Sequence, residues 1–529
     1  MFKKNDYLTY LVLGDINFKM TGKSNILFGI CWFFQISYSK NIENYLINTS
    51  KCTVPDLPPF FTNWPSYISS LPISCSEFDP LPTYTTVKNN VATLHVREEA
   101  FANYSTEYSP TRCCYSYVFR NGTENQPDVG ISVTNCLKFQ QSVVLLHDTV
   151  WVSCSNYIET NIGYTRGFPI FPIYANVHQV VRPYQSFVQK GQRLQESSPK
   201  RPTSVLVIVI DSVSRLNFIR TMPKTREYIL KNGFHEFKGY NKIDDNTFPN
   251  AMALLTGMNL RDSFSICQPR TLDGLNNCQF IWKDYQKLGY STAYAEDWAP
   301  IATFNYFKKG FRYPPTDYYF KPYMDVLKYL ETKIQDDMPF CAGPESQGDR
   351  TLNLAYDFAT TLKDSPSFGI FWMNTFSHNV ITTPKTMDER VKTFFEKLKS
   401  SGVLDESIVV LLSDHGVRFG NIINTTRGYY ELRLPMNYVS LPDWFITAYP
   451  KETRNFDDNT KLLTSTYDMY MTLQHILSLS GTNYTMRPSL ACPNCRSLFE
   501  KIPLERSCND AGIPDIWCTC NLDLNTSED

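Results

Sequence analysis

The sequence has almost no net charge, since 51 lysines and arginines face 52 aspartates and glutamates in 529 residues. Proteins that bind nucleic acid normally show a basic excess, and no block of lysine and arginine supplies one here. We therefore exclude nucleic-acid binding. The sequence also lacks internal repeats and low-complexity tracts. Its length and its 42% of hydrophobic residues predict two or three ordinary globular domains.

No hydrophobic run is long enough to span a bilayer, which takes about 20 residues. The run Ile26–Ser37 (ILFGICWFFQIS) follows Lys19 and Lys23 and has the length of a signal-peptide core. A leader starting at Met20 would be an ordinary secretory signal, with a buried core helix as the alternative. We therefore expect residues 1–45 to be a signal peptide or a signal anchor. The protein would be secreted or lie in the secretory-pathway lumen, attached to a membrane only through this segment.

Cysteine, by contrast, is abundant. Cys31 lies in the apolar run, and the other fourteen cysteines form an even set, which is typical of a disulfide framework in an oxidising compartment. Zinc binding by Cys492-x-x-Cys495 is the competing interpretation. Six N-x-[ST] sequons also favour a secreted glycoprotein; they lie at Asn48, Asn103, Asn121, Asn424, Asn483 and Asn525.

The composition and the apolar periodicity of the sequence change along its length. Residues 46–188 contain short β-like pieces separated by turn residues and cysteines, which predict a small disulfide-rich β module. Residues 189–202 are polar without apolar periodicity and predict a linker. Residues 203–488 alternate strands and helices, and residues 489–529 form a cysteine-rich tail that we expect to fold back on the rest.

The run Ser204–Ile210 (SVLVIVI) is unbroken and β-branched, as expected of a strand buried on both faces of a parallel sheet. Similar runs recur at 290–296, 367–374 and 407–414, with helix-like stretches at Tyr323–Asp336, Asp388–Ser400 and Tyr467–Ser478. This alternation predicts an α/β fold with a mostly parallel central sheet. Ligands in such folds collect beyond the carboxyl ends of the strands.

Polar residues at four such places predict a reaction centre. Asp211 follows the first buried run, Thr247 precedes Pro249 and an apolar helix-like run, His378 follows a third strand, and Asp414-His415 follow a fourth. Carboxylates and a neutral imidazole are ligands for Zn²⁺ or Mn²⁺. A threonine hydroxyl attacks phosphorus only when a bound metal lowers its pKa. A helix starting near Pro249 would add N–H donors for a phosphate.

The order Asp…Thr-x-Pro-x…His…Ser-Asp-His-Gly resembles the alkaline phosphatase and sulfatase superfamily. Longer stretches resemble one uncharacterised animal branch, the domain of unknown function 229, over most of the chain from Cys52 to Cys520. These stretches are IDSVSRLNFIRTMPKT, GYNKIDDNTFPN, TAYAEDWAPIATFNYFKKGF, SDHGVRFG and LRLPMNYVSLPDWF. The resemblance implies an alkaline-phosphatase-like core.

The resemblance also implies roles for single residues. Asp211, Asp414 and His415 fall on the superfamily's metal ligands, and Thr247 falls on its nucleophile, which itself touches the metal. Sulfatases carry a cysteine there, within Cys-x-Pro-x-Arg, and this chain has neither that cysteine nor the arginine. The phrase Thr-Phe-Pro-Asn is instead similar to that of nucleotide pyrophosphatase/phosphodiesterases, which implies a phosphoryl contact for Asn250.

A two-metal site in that superfamily needs a further Asp and two His. His378 matches one His, but Asn374 stands where the Asp is expected. The pattern is therefore closer to single-metal relatives such as lipoteichoic acid synthase, in which a lone His near this position binds the phosphoryl group or assists the leaving group. His235 and Asp297 remain the candidates for an unrecognised second-metal ligand. Asn379 is a further departure, since an Asp often follows that His.

We therefore expect a metal-dependent phosphoryl-transfer enzyme, a hydrolase or transferase with Thr247 as nucleophile and His378 as general acid or phosphate ligand. Arg418 is a second anion contact or, equally, a structural ion-pair partner. One divalent ion is expected, with Zn²⁺ preferred and Mn²⁺ or Ca²⁺ as alternatives. The substrate would be a small-molecule, lipid or glycan phosphoester. The alternatives are a two-metal phosphodiesterase and a sulfatase-like fold kept as a non-catalytic extracellular binding protein. The sequence indicates no oligomeric state.

Overall fold

A computed structural model describes residues 44–61, 64, 73–103, 111–156, 164–165, 168–169 and 172–521. The predicted leader, apart from its last two residues, and the sequon at Asn525 lie outside these residues. Everything described belongs to one compact unit that spans residues 42–529. No helix among the described residues is both long enough and apolar enough to cross a membrane.

The first part of the chain forms short strands, as its alternating pieces predict. They are β1 (Tyr45–Asn48), β2 (Thr53–Pro55), β3 (Thr83–Lys88), β4 (Val91–Val96), β5 (Arg112–Arg120), β6 (Ile131–Val133), β7 (Leu137–Phe139), β8 (Ser142–Leu145), β9 (Thr149–Ser155), β10 (Tyr164–Thr165), β11 (Phe168–Pro169) and β12 (Tyr174–Gln179). One sheet has the order β12-β9-β5-β6 with β7 also on β5, and another has the order β3-β4-β8. Aromatic and aliphatic residues of both sheets share one small core.

The rest of the chain alternates strands and helices. The strands are β13 (Ser204–Ile210), β14 (Phe234–Glu236), β15 (Gly239–Asn241), β16 (Ser291–Glu296), β17 (Tyr318–Tyr319), β18 (Thr332–Gln335), β19 (Met338–Ala342), β20 (Glu345–Ser346), β21 (Ser367–Met373), β22 (Ser407–Leu412), β23 (Asn437–Ser440) and β24 (Leu463–Ser465). The helices are α1 (Gln185–Ser197), α2 (Arg215–Thr221), α3 (Pro223–Lys231), α4 (Thr247–Thr256), α5 (Leu260–Ile266), α6 (Gly274–Asn277), α7 (Ile281–Leu288), α8 (Lys321–Val326), α9 (Gln347–Thr361), α10 (Asp388–Ser400), α11 (Val403–Glu406), α12 (Thr426–Arg433), α13 (Asp443–Ala448), α14 (Pro450–Asn459) and α15 (Thr466–Leu479).

The central sheet confirms the predicted α/β fold. Its order is β14-β23-β22-β13-β21-β16-β17. The strands from β22 to β17 pair in parallel, and β23 and β14 add antiparallel pairing at one side. Strand β13 is apolar throughout because its alternate residues enter two different cores, Val207 one core and Ile208 the other. Each such side chain stabilises the fold by about 1.5–3 kcal/mol.

Two stretches have a local structure other than the one expected of them. The linker expected at 189–202 is largely helical, since α1 runs to Ser197. Its buried face is a narrow stripe of Gly191 and Leu194, too small to give apolar periodicity, and a Cβ on Gly191 would lie 2.2 Å from Ser365 Oγ. The helix expected at 323–336 divides into α8 and β18, because the second half pairs with β19. The borders between module, core and tail stay a prediction.

Seven disulfides use every cysteine from Cys52 onward, which confirms the disulfide framework. The zinc interpretation of Cys492 and Cys495 is wrong, because these two residues are bonded to each other. The bond Cys52–Cys520 joins the two ends of the described chain. Beside it the Asn521 amide donates to the Thr53 carbonyl at 2.9 Å. The tail is thus folded back as predicted.

The terminal disulfide should stabilise the fold far more than the shortest one. Cys52–Cys520 spans 468 residues and Cys492–Cys495 only 3, so its removal releases much more chain entropy in the unfolded state. We expect the double change Cys52→Ala/Cys520→Ala to lower the free energy of unfolding by about 2–4 kcal/mol. Denaturant unfolding measures this, with Cys492→Ala/Cys495→Ala as the control. A larger loss of stability in the control variant would contradict the greater contribution that we assign to Cys52–Cys520.

Candidate active site

Asp211 and Asp414 meet because their strands are neighbours. Strands β13 and β22 run in parallel, so residues about 200 positions apart emerge side by side at the carboxyl edge of the sheet. The ligand atoms of Asp211, Asp414 and His415 lie within 4.8 Å of one another, and all three residues are buried. The sequence predicted this cluster.

The turn after β13 holds the two carboxylates in place. Ser212 has a left-handed backbone (φ 60°), a conformation that a non-glycine residue adopts at an energetic cost. Its hydroxyl donates to Asp211 Oδ1 at 2.7 Å and its amide donates to Asp414 Oδ1 at 3.3 Å. The Val213 amide donates to Ser413 Oγ at 2.9 Å, which joins the two strand ends again. Sequence reasoning did not identify Ser212 or Ser413.

Thr247 begins helix α4 and faces the carboxylates. Its Oγ1 donates to Asp211 Oδ2 at 2.9 Å and lies 3.4 Å from His415 Nε2. Thr247 as a whole is half-buried, unlike the three residues of the cluster. The side chain of Asn246, which precedes the helix, does not cap it. The first N–H groups of α4 therefore point at the space beside Thr247 and are suited to hold an anion.

The cluster needs a cation. The Gly416 carbonyl accepts from His415 Nδ1 at 2.8 Å, so the proton is on Nδ1 and Nε2 presents a lone pair. Burial lowers the pKa of His415 to about 3, which keeps the ring neutral. Nε2 lies 3.3 Å from Asp414 Oδ2, and a neutral ring with this tautomer forms no ion pair there. Asp414 Oδ2 is buried without a hydrogen-bond donor.

The pKa values of the two carboxyl groups also favour a bound cation. Burial raises the pKa of Asp211, and the nearby Asp414 carboxyl raises it further. Burial also raises the pKa of Asp414. Two carboxylates, an imidazole lone pair and a hydroxyl in one buried space are the donor set of a divalent metal such as Zn²⁺ or Mn²⁺. The residues present therefore fit the predicted ion.

Gly416 ends the Ser-Asp-His-Gly motif for a steric reason. A Cβ at this position would lie 1.6 Å from the Glu431 carbonyl oxygen. The Gly416 amide also donates to the Leu432 carbonyl at 3.1 Å. Only glycine allows this close approach, which sets the path of the chain after His415.

Asn250 does not have the free amide that the predicted phosphoryl contact requires. Its Oδ1 accepts from the Ile243 amide at 2.9 Å. Its Nδ2 donates to the carbonyls of Asp244 and Asn246, each at 2.9 Å. With the side chain buried and fully bonded to its own loop, Asn250 positions the segment that carries Thr247.

Two basic residues flank the same loop. Arg418, the predicted anion contact, lies 3.3 Å from Asp245 Oδ2, while its Nε has no hydrogen-bond partner among the described residues. Lys242, which sequence reasoning missed, is buried with Nζ over the Trp517 ring at 3.9 Å and donates to the Asp245 carbonyl. Burial lowers the pKa of Lys242 to about 7. A lone lysine in the loop between β15 and α4 gives no sequence signal of this kind.

His378 is held by residues on either side of it. Nδ1 lies 2.7 Å from Asn379 Oδ1; this amide oxygen accepts its proton and leaves Nε2 free. Trp298 meets the ring edge-on at 5.7 Å between centroids, and Phe419 lies at 5.6 Å. Asn379 thus orients His378 as an Asp would, without adding charge. Sequence reasoning missed Trp298 and Phe419, because neither residue belongs to a recognisable motif.

The residues considered for a second metal have other partners. The Asp297 carboxylate is buried and accepts from the Asn374 amide at 2.6 Å and from Thr375 Oγ1 at 2.7 Å. Asn374 Nδ2 lies 3.4 Å from Glu296 Oε1. His235 is on the edge strand β14 and pairs with Asp457 at 2.8 Å. Neither His235 nor Asp297 belongs to a metal cluster among the described residues.

The described residues therefore define an α/β protein in which Asp211, Asp414 and His415 could hold a metal ion beside a threonine hydroxyl. The chain belongs to the family described as "Protein of unknown function (DUF229)", whose model matches residues 71–529. This confirms the resemblance to that family. No curated protein matches the chain.

Solved structures of the alkaline phosphatase and sulfatase superfamily are similar to this chain. A superfamily protein from Vibrio parahaemolyticus is 14% identical, with 61% of this chain and 80% of that chain covered and a TM-score of 0.39. The lipoteichoic acid synthase LtaP from Listeria monocytogenes is 12% identical over 56% and 81%, with a TM-score of 0.35. The C-terminal periplasmic domain of EptC from Escherichia coli is 12% identical over 54% and 84%, with a TM-score of 0.38.

Metal binding should reverse the effect of pH on stability. Because the folded state raises the pKa of Asp211 and Asp414, the metal-free protein gains stability as pH falls through the range between the raised and the ordinary carboxyl pKa. The metal-loaded protein should lose stability over the same range, because protons compete with the ion for these carboxylates. His415 opposes part of this gain, because its folded-state pKa of about 3 lies below the ordinary imidazole value and the unfolded state takes up that proton first.

Thermal unfolding with and without a chelator, scanned from neutral to mildly acidic pH, measures both curves. The Asp414→Asn variant should flatten both. If the stability of the metal-loaded and the metal-free wild type changed with pH in the same way, the carboxyls would not hold the ion.

Restoring an aspartate at position 374 should not create a second metal site. The Asn374→Asp change places a carboxylate against Glu296 and the Asp297 carbonyl. We expect a loss of about 1–3 kcal/mol of stability and no added ion in metal analysis. Asn379→Asp is the control, since a carboxylate there still accepts from His378 and loses only the exposed donation to the Asp337 carbonyl, so its loss of stability should be smaller. A second bound ion in Asn374→Asp would contradict the one-ion assignment.

Proposed function

We propose that the protein is a one-metal phosphoryl-transfer enzyme that acts on a phosphate ester or diester, as a hydrolase or a headgroup transferase. The observation that carries this proposal is the position of Thr247. Its hydroxyl lies within hydrogen-bond distance of Asp211 and in contact range of His415, and the residue is only half-buried. A hydroxyl placed only for structure would normally be satisfied within its own turn.

Asp211, Asp414, His415 and the Thr247 hydroxyl would hold one divalent ion, with Zn²⁺ preferred. When bound, such an ion lowers the pKa of a coordinated hydroxyl and stabilises negative charge on a phosphoryl oxygen. The hydrogen bond to Asp211 Oδ2 orients the Thr247 hydroxyl and gives its proton an acceptor. Ser212 keeps that carboxylate in place through its hydroxyl, while its amide donates to Asp414.

The reaction follows from these positions. Thr247 Oγ1 forms a bond to phosphorus, the bond from phosphorus to the leaving oxygen breaks, and the threonine proton passes to Asp211. In its doubly protonated form, His378 keeps Nδ1–H on Asn379 Oδ1 and gives its Nε2 proton to the leaving oxygen, which leaves the ring neutral. The N–H groups at the start of α4 and the Arg418 guanidinium hold the phosphoryl oxygens. Water or an acceptor hydroxyl then releases the phosphoryl group from Thr247.

The sequence favours phosphoryl transfer over sulfuryl transfer. Sulfatases need a modifiable cysteine where this chain has Thr247, and an arginine two residues after the proline, where Ala251 stands. The non-catalytic alternative depended on Asn374 and Asn379. The first bonds to buried acidic neighbours and the second orients His378, so neither speaks against turnover.

We propose that the enzyme works outside the cytosol. The many disulfides suit an oxidising compartment. The sequon asparagines among the described residues are all exposed, as glycosylation requires; they are Asn48, Asn103, Asn121, Asn424 and Asn483.

Removing the threonine hydroxyl should abolish turnover without removing the metal. We expect Thr247→Ala to lower kcat at least about 10³-fold, because no group replaces the nucleophile. Thr247→Ser keeps the hydroxyl and should stay within about tenfold of wild type. Phosphate release from generic mono- and diesters, with metal content measured in parallel, tests this. Wild-type rates in Thr247→Ala would refute the nucleophile, and an inactive wild type that still binds phosphonates would favour the binding-protein alternative.

A further inference from the structure

A second cationic position lies beside the nucleophile. Phe248 follows Thr247 in the first turn of α4, and Lys308 Nζ lies 4.1 Å from the centroid of its ring. The neighbouring ring of Phe264 lies 5.7 Å from Phe248, and the guanidinium of Arg270 lies 5.0 Å from the Phe264 centroid. Two cations thus rest on two adjacent aromatic rings, next to the residue proposed to attack phosphorus.

These cations have unused donors. Lys308 Nζ donates to the Tyr306 carbonyl at 2.9 Å and turns one side to the Phe248 ring, which leaves a further N–H direction open. The side chains of Lys308 and Arg270 make no ion pair with any residue the structure describes, and that of Arg270 makes no hydrogen bond there either. Arg270 is exposed and hydrated, whereas Lys308 is partly buried, so an anion that reaches Lys308 would gain a charge-assisted contact there.

The nearest acidic group is occupied elsewhere. The Glu296 carboxylate accepts from Tyr294 Oη at 2.5 Å and from the amide and hydroxyl of Thr303 at 2.9 Å each. Burial lowers the pKa of Lys308 to about 8; Glu296 opposes this shift and Arg270 adds to it. The cation pair therefore faces outward with no anion of the protein in contact.

The surrounding surface is open and apolar. Lys308 follows two aromatic residues on the same loop, Tyr306 and Phe307, which are 49% and 75% exposed. Exposed rings beside cations suit a substrate that brings an organic body as well as charge.

We propose that Lys308 and Arg270 form a second anion subsite, which selects phosphoesters carrying another negatively charged group on the leaving or retained part. This inference rests on the proposed phosphoryl site at Thr247. The recognised chemistry is a sulfate, phosphate or carboxylate group at a short distance from the reacting phosphorus. A simple neutral ester would occupy the Thr247 site alone and leave the two cations unpaired.

The test uses hydrolysis-resistant phosphonates on the full, metal-supplemented chain. Phenylphosphonate probes the Thr247 site alone, and its sulfo-, carboxy- and phosphono-substituted forms add a second anion of different kinds. Calorimetry should show the substituted forms binding about tenfold tighter, the equivalent of about 1.4 kcal/mol. The ranking of the three arms identifies the preferred anion.

Matched variants test which residue causes the tighter binding of phosphonates with a second anion. Lys308→Met keeps the apolar stem on Phe248 and removes the charge, so it should erase most of the preference while leaving phenylphosphonate binding unchanged. Lys309→Met is the control, because that lysine donates to the Asn125 carbonyl instead. Arg270→Met should reduce the preference in part.

The outcomes separate the two proposals. Equal binding of all four phosphonates to the wild type would overturn the subsite and leave the phosphoryl site standing. An unchanged preference in Lys308→Met, or an equal loss in Lys309→Met, would also overturn the subsite. Failure of every phosphonate to bind would overturn the proposed function and the subsite with it.

Discussion

Two buried carboxylates that face one space without a cation are the constraint on which the site depends. Asp211 and Asp414 come together because β13 and β22 pair in parallel, and the turn at Ser212 bonds to both. His415 adds a lone pair to the same space instead of a positive charge. The fold therefore builds a region of unbalanced negative charge whose favourable occupant is a divalent ion, and the surrounding polar contacts act mainly to hold the ligand atoms in position.

The loop before α4 carries the second half of the chemistry and is held from three sides. Asn250 bonds to its backbone from within, Arg418 reaches it from the segment after His415, and Lys242 ties it to the tail through Trp517. The tail in turn is fastened by Cys52–Cys520. The distant cysteine-rich end thus supports the nucleophile, although it contributes no reacting group.

Sequence reasoning was strongest where periodicity and motif agreed. The apolar run of β13, the helix at 388–400 and the cluster of Asp211, Asp414, His415 and Thr247 were predicted from strand ends and residue order, and the structure brings them together. It failed where the deciding contact lies far along the chain. The helix α1 gave no periodic signal because a glycine provides half of its contact, and Asn250 was misread because its partners are backbone groups that no sequence pattern displays.

The sequence by itself determined the fold class, the disulfide-rich character and the residues of the candidate site, because these depend on local residue type and on order along the chain. The tertiary structure alone decided which side chains remain free. Hydrogen bonds within the fold occupy the polar groups of three residues, Asn250, Asn374 and Asp297. By contrast, donors remain directed outward on Lys308 and Arg270. The physical reason is that the availability of a polar group depends on what folds against it, and those partners come from strands and loops that only the folded chain makes neighbours.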